Sequence, residues 1–210
     1  MKRLGSLKKA AENPADPQNI NDAKLILSEA KAARVLIPPH TIEFTGKRFV
    51  EATQTNPDAW NAALTFVDYK SSINPSLPNT PNISEADARV LRTDYAVKFP
   101  YPRAPRPEVR VFGIVPEADA AQFNEIGVNA NALHEGNRYI VAQGGDVLID
   151  GLQLKSVVFV NTHIYYRGGP IILSNVYFLN CTFEIEQSAN AQGLAVALLA
   201  PVPSTSFNAS

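Results

Sequence analysis

Two stretches in the last third of the chain align without a gap at an offset of 19 residues. One runs from Gly151 through Leu152, Leu154, Val157, Phe159 and Asn161 to Ile164. The other runs from Pro170 through Ile171, Leu173, Val176, Phe178 and Asn180 to Phe183. Leu154 falls on Leu173, Val157 on Val176, Phe159 on Phe178, Asn161 on Asn180 and Ile164 on Phe183. A unit this short cannot bury its own apolar face. A period near twenty therefore predicts a solenoid whose units stack on one another. The pieces are too short for a helix pair, and they alternate and are rich in β-branched and aromatic residues, so each unit is a coil of short strands. Leu152, Leu154, Val157, Phe159 and Ile164 are expected to point inward. Asn161 and Asn180 stand where a corner is needed. Asn accepts left-handed backbone angles, and stacked amides can bond to one another along the axis. The competing reading is an antiparallel meander that happens to align.

Four apolar residues lie between the inward ones: Val158, Val160, Tyr177 and Leu179. Alternation turns them to the opposite, exposed solenoid face, which makes them the candidate binding residues. From Tyr139 to Ser210 only six residues are charged: Asp146, Asp150, Lys155, Arg167, Glu184 and Glu186. An apolar face with so few charges calls for a cover, either the N-terminal helices or another subunit. A short stack also exposes strand edges at its ends. Residues 109–142 are candidates to cap one end, and Gly193 to Pro203 to cover the other or pair with a partner chain, while Pro203 to Ser210 is expected to fray.

The repeat, with Gly or Pro leading, Ser156 or Asn175 before Val157 or Val176, and Asn161 or Asn180 at the corner, resembles coils of the right-handed parallel β-helix (pectate-lyase-like) superfamily. Asp150-Gly151, Gly168-Gly169-Pro170 and Asn180-Cys181-Thr182-Phe183 are also similar to uncharacterised bacterial proteins with a helical N-terminal part. The resemblance covers about a quarter of the chain. It implies a fold and says little of activity, because one fold hosts many functions. Enzymes of the superfamily use acidic residues for calcium and an Arg as proton acceptor. Asp146, Asp150 and Arg167 are the residues of that kind here, but no active-site motif matches. About three coils also give a groove too short for several sugars. Turn and surface roles are the favoured reading for all three.

The first 73 residues read as helical. Asn21 or Asp22 is expected to cap a helix reaching Leu36, ended by Pro38-Pro39. Thr41 to Ala52 is a second helix with Ile42, Thr45, Phe49 and Ala52 on one face, weakened by Gly46. Asn56-Pro57 opens a third, with Trp60, Leu64 and Val67 at i, i+4 and i+7, ending near Ser72. The start, with Lys2, Arg3, Lys8 and Lys9, lacks the apolar stretch of a secretory signal and is expected to be a solvated, frayed terminus. Residues 74–108 hold seven of the 16 prolines and form a connector. A short helix fits Ser84 to Val97, and Pro100 to Pro107 is extended. This run is more often a stiff linker than a ligand for an SH3-like groove. Val109 to Val115 alternates like a strand, and Pro116 to Ile126 reads as a brief helix. The expected organisation is α+β: a helical region over 1–73, the connector over 74–108, a short right-handed β-helix with capping segments over 109–203, and a tail over 204–210.

Charge and composition narrow the function. Nineteen basic against 20 acidic residues give a net charge of −1, no footprint for nucleic acid. One Cys and three His leave no standard zinc cage, so no metal and no cofactor are expected. No apolar run is long enough to span a membrane. Cys181 stacks on Thr162 and lies beside His163 one coil away, which suggests a thiolate–imidazole pair. Adjacent strand residues point to opposite faces, so a small core residue is the better reading. Gly144-Gly145 and Gly168-Gly169 read as turns rather than phosphate loops. His40 and His134 are expected in loops. The reading favours a non-enzymatic, cytoplasmic scaffold that forms a homo-oligomer or binds a protein partner. Carbohydrate binding or carbohydrate-active chemistry is the alternative.

Overall fold

The computed structural model describes residues 2–73, 110–112, 140–155 and 157–209. The expected helices at 84–97 and 116–126, the extended run 100–107 and His134 lie outside these residues.

Four helices come first: α1 (Lys2–Glu12), α2 (Pro17–Ala32), α3 (Pro39–Ala52) and α4 (Ala59–Ile73). The N-terminus is not a frayed segment, because Leu7, Ala10 and Ala11 of α1 are buried. The start of α2 is set earlier than the Asn21 or Asp22 expectation. Asp16 accepts from the backbone N–H groups of Gln18 (2.8 Å) and Asn19 (3.2 Å), with Pro17 as the first helical residue. A capping carboxylate followed by proline is a strong start signal, and it outweighs the weaker Asn-Asp pair downstream. The helix stops at Ala32, and Arg34 takes a left-handed φ of 51°. Leu25, Val35 and Leu36 are exposed; Ile20, Ala23, Leu27 and Ala30 form the buried stripe.

Helix α3 buries Ile42, Thr45, Phe49 and Ala52, the face expected of it. Gly46 is there for packing rather than as a weakness. A Cβ at this position would meet the Cδ atoms of Leu199 at 2.8 Å and Phe66 Cβ at 3.2 Å. The site is where α3 crosses α4 and the C-terminal helix. His40 lies in α3, 3.6 Å from Glu43, and not in a loop. In α4, Trp60, Ala63, Phe66, Val67 and Tyr69 are buried. Tyr69 donates to Val35 O (2.5 Å) and accepts from Ile37 N (2.9 Å), pinning the α2–α3 loop.

The strands follow: β1 (Arg110–Phe112), β2 (Ile140–Gln143), β3 (Asp146–Leu148), β4 (Gln153–Lys155), β5 (Val157–Val160), β6 (His163–Tyr166), β7 (Ile171–Leu179) and β8 (Thr182–Ile185). Helix α5 (Ala189–Leu199) and β9 (Thr205–Ala209) complete the chain. Most pairings are parallel. β2 pairs with β5 and β5 with β7; β3 pairs with β6 and β6 with β8; β4 pairs with β7. The register steps by 17 residues from β2 to β5 (Ile140 beside Val157) and from β3 to β6. It steps by 19 from β5 to β7 and from β6 to β8. Leu154 therefore stands beside Leu173, Phe159 beside Phe178 and Ile164 beside Phe183, as the repeat requires. The meander reading fails, since a meander would make these pairs antiparallel.

Asn161 and Asn180 turn the corners after β5 and β7, each with φ of 52°. The Asn180 amide Nδ2 donates to Asn161 Oδ1 at 2.7 Å, bonding one corner to the next. Two strands run antiparallel to the rest. β1 lies on β2, and β9 lies on the first part of β7, from Ile171 beside Ala209 to Val176 beside Thr205. Thus Thr205–Ala209, within the segment expected to fray, is a paired strand. The 190s segment, expected to cap the stack or meet a partner, is helix α5. Its N-cap Ser188 accepts from Ala191 N at 3.1 Å, and it buries Leu194, Leu198 and Leu199. One hydrophobic core runs through helices and strands alike, from Leu7 and Phe49 to Phe159, Phe183 and Leu199. The compositional boundary between the helical and strand regions is not a boundary in the core.

Candidate interaction face

The inward residues of β5 and β7 join the main core. Phe159 and Phe178 stack with ring centroids 5.4 Å apart and planes 9° from parallel. The alternate residues form a second, separate cluster: Val158 beside Tyr177, with Val160 and Leu179 packed against them. So the four candidate residues do share one face and stand in cross-strand register. They differ in exposure from the expected open solenoid face. Val158 and Tyr177 are 2% and 7% exposed, whereas Val160 and Leu179 are half-buried. The accessible part of this face is its Val160–Leu179 end.

The residues that suggested chemistry are engaged elsewhere. Asp150 sits in the turn after β3, where its carboxylate accepts from Arg167 N (3.0 Å) and Gly169 N (2.6 Å). It holds the turn that leads into β7, the structural role favoured from sequence. Arg167 Nε lies 3.6 Å from Glu186 Oε1. Asp146 stands in β3 beside His163 of β6. No group of three or more His, Cys, Asp or Glu suited to a metal ion occurs among the described residues.

Cys181 is not paired with His163. Its Sγ faces the carbonyl oxygens of Phe159 (3.4 Å) and Leu179 (3.6 Å), and burial pushes the thiol up to about 12. A thiol with that value is protonated at neutral pH and is a poor nucleophile. His163 Nδ1 meets Thr182 Oγ1 at 2.6 Å, on the outer face, and its Nε2 lies 3.7 Å from Glu184.

Sequence reasoning missed the polar groups of α4. Trp60, Asp68 and Ser71 fall at i, i+8 and i+11, on one side of the helix. All three reach the backbone of the last strands. Trp60 Nε1 donates to Ile185 O at 2.8 Å, and Asp68 Oδ1 accepts from Phe183 N at 3.0 Å. Ser71 Oγ donates to Phe178 O (3.1 Å) and accepts from Cys181 N (2.8 Å), while Ser71 O accepts from Asn180 N (2.9 Å). Burial pushes the Asp68 carboxyl up to about 6, against the pull of its bond from Phe183 N and of the Lys31 charge. The readable signal was two polar residues inside an otherwise apolar helix face, a pattern that needs buried partners.

Lys70 also reaches across. Its Nζ donates to Leu198 O at 2.6 Å and to Ala200 O, closing the C-terminal carbonyls of α5. Burial lowers its ammonium to about 8. The crevice beside it, lined by Val67, Phe178, Phe183, Leu198 and Pro203 among others, has a volume of about 10 Å³. That is room for one water, not for a substrate.

No family model, curated protein or solved structure matches this chain. No helix of the described residues is long and apolar enough to cross a membrane.

Proposed function

We propose that the chain is a non-enzymatic structural or protein-interaction scaffold that associates with itself through the outer face of β5 and β7. In this reading residues 140–185 are about three coils of a short right-handed parallel β-helix, of the pectate-lyase-like kind in fold only. Support for the coils comes from the parallel register steps of 17 and 19 residues and the Asn161–Asn180 corner bond. The observation that carries the function is the apolar cluster of Val158, Tyr177, Val160 and Leu179, which stands apart from the core. Its half-buried end offers two aliphatic side chains on a flat strand surface, suited to an isologous contact with the same end of a second copy. Asp150, Asp68 and Cys181 are each engaged with backbone groups, which agrees with contact rather than catalysis. With one cysteine the chain forms no intrachain disulfide, and the reading places it in the cytoplasm.

Sedimentation equilibrium tests the proposal. The wild type is expected to exceed single-chain mass at high concentration, and Val160→Lys with Leu179→Lys to return to single-chain mass with an unchanged circular dichroism spectrum. A wild type that remains a single chain at every concentration overturns it.

A further inference from the structure

Of the aspartates, Asp150 alone is followed by glycine, and the chain holds no Asn-Gly pair. The Asp150-Gly151 pair stands in the turn between β3 and β4, and the fold uses both members. Gly151 takes a φ of 77°, where glycine is the unstrained residue. Asp150 ties this turn to the one between β6 and β7: its carboxylate accepts from Arg167 N at 3.0 Å and from Gly169 N at 2.6 Å.

The same dipeptide is open to rearrangement, because glycine puts no Cβ beside the attacking nitrogen. The Gly151 nitrogen attacks Asp150 Cγ. The N–Cγ bond forms, the Cγ–OH bond breaks, and the proton of the nitrogen leaves with the hydroxyl as water. A water molecule then opens the five-membered imide. When it cleaves the bond between the nitrogen and the main-chain carbonyl carbon, the product is isoaspartate, whose main chain runs through Cβ and Cγ and is one carbon longer. One water is lost and one regained, so no other reactant is consumed.

Both reacting groups are occupied in the fold. The Gly151 N–H is donated to Pro170 O at 2.6 Å, and the carboxylate is held on the two N–H groups of the facing turn. That facing turn is itself braced. The Tyr166 hydroxyl donates to Gly169 O at 2.6 Å, and Asn190 Nδ2, from the first turn of α5, donates to Gly168 O at 2.9 Å. Gly169 has no room for a side chain, since a Cβ there would lie 2.8 Å from Asp150 Oδ1 and 3.2 Å from Asp150 Cβ. Ring closure therefore requires the carboxyl to leave Arg167 N and Gly169 N and the Gly151 N–H to leave Pro170 O, which is a local opening of both turns.

We propose that Asp150-Gly151 is a modification site: an aspartyl-to-isoaspartyl conversion that the 166–170 turn keeps closed and that proceeds when the two turns part. Isoaspartate carries its carboxylate on Cα, away from the position that meets Arg167 N and Gly169 N, so reclosing the turns does not restore the tie. The proposal concerns a different part of the molecule from the β5–β7 face and stands or falls independently of it.

The test ages the full-length protein in mildly acidic buffer, folded and in concentrated urea. Isoaspartate at position 150 is counted by peptide mapping with a protease that cuts before aspartate but not before isoaspartate. The folded protein is expected to convert more than about tenfold more slowly than the unfolded chain. Gly169→Ala drives a methyl group against the Asp150 carboxylate and is expected to raise the folded-state rate several-fold. Should that variant lose its far-UV signal, Tyr166→Phe removes only the brace on Gly169 O and is expected to give a smaller rise. Chains converted in urea and returned to buffer are expected to lose amide-exchange protection at Arg167 and Gly169. Equal rates in the folded and unfolded protein overturn the proposal. So do a folded variant that converts at the wild-type rate and a converted chain whose Arg167 and Gly169 amides stay protected.

Discussion

Strands β5 and β7 present two apolar faces, built from neighbouring residues in the same register, and the two differ in what lies behind them. The inner face, with Val157, Phe159, Val176 and Phe178, belongs to a core that continues into α3, α4 and α5. The outer face, with Val158, Tyr177, Val160 and Leu179, is a cluster of its own. Hydrophobicity alone does not separate them. The difference is that only the inner face joins the main core, and a buried side chain stabilises in proportion to the well-packed neighbours it would leave behind. The inner face should therefore carry stability and the outer face association.

The sharpest way to break this contrast is a pair of adjacent truncations. Phe178 stacks on Phe159 and meets Phe183 edge-on at 5.3 Å, so Phe178→Ala is expected to cost about 3–5 kcal/mol. Tyr177→Ala, one residue away in the smaller outer cluster, is expected to cost about 1–2 kcal/mol. Urea unfolding midpoints measure both. Equal losses would make the outer cluster a second core and remove the distinction.

A smaller effect concerns the seam between α4 and the inner face. Asp68 titrates near 6 in the fold against an ordinary 3.8, because burial disfavours its charge. A carboxyl raised in the folded state stabilises fully below the unfolded value, and that stability is lost as pH rises through about 6. Between pH 4 and 7 the wild type is thus expected to lose about 1–3 kcal/mol relative to Asp68→Asn. The Asn oxygen still accepts from Phe183 N, so the variant isolates the charge. Unfolding midpoints of the two proteins across that range decide it. A difference independent of pH would mean that Asp68 is not buried at the seam.

Smaller again is the corner. Asn180→Ala gives up both the bond to Asn161 and the tolerance of Asn for φ of 52°. Together these are expected to cost about 1–2 kcal/mol. Asn180→Gly keeps the backbone freedom and loses only the bond, so it should cost less than the alanine. The reverse order would show that the backbone angle is not strained there.

The corner was legible in the sequence because a repeat reports on itself. Asn161 and Asn180 aligned, and an aligned Asn at a turn has one economical use. The register was legible for the same reason, since Leu154, Phe159 and Ile164 each met a residue of like kind one period later. The N-terminal side of α2 was misread because Asn21-Asp22 also suits a cap, and only the added proline after Asp16 separates them. The role of α4 was hidden. Trp60 reads as core from its apolarity, yet its indole N–H serves a strand edge 125 residues away. No local pattern names a partner at that distance. Asp68 and Ser71 announced only that some buried donor or acceptor had to meet them. The partial closure of the outer face was hidden too, because alternation assigns a side and not a depth.

The least costly substitution is the one that speaks most directly to function. Leu179 is half-buried and packs against the Val158–Tyr177 pair, so its outer side can reach water. Leu179→Lys keeps a long aliphatic stem that lies over the same neighbours while the ammonium extends into solvent. Stability is expected to change by less than about 1 kcal/mol, because little packing is given up. Association is expected to be lost, because a second copy would have to bury two like charges across a two-fold contact. Measured side by side, the unfolding midpoint and the sedimentation mass should separate: the first nearly unmoved, the second reduced to one chain. If instead the midpoint falls by as much as in Phe178→Ala, Leu179 is core, and the contrast between the two faces of β5 and β7 is lost with it.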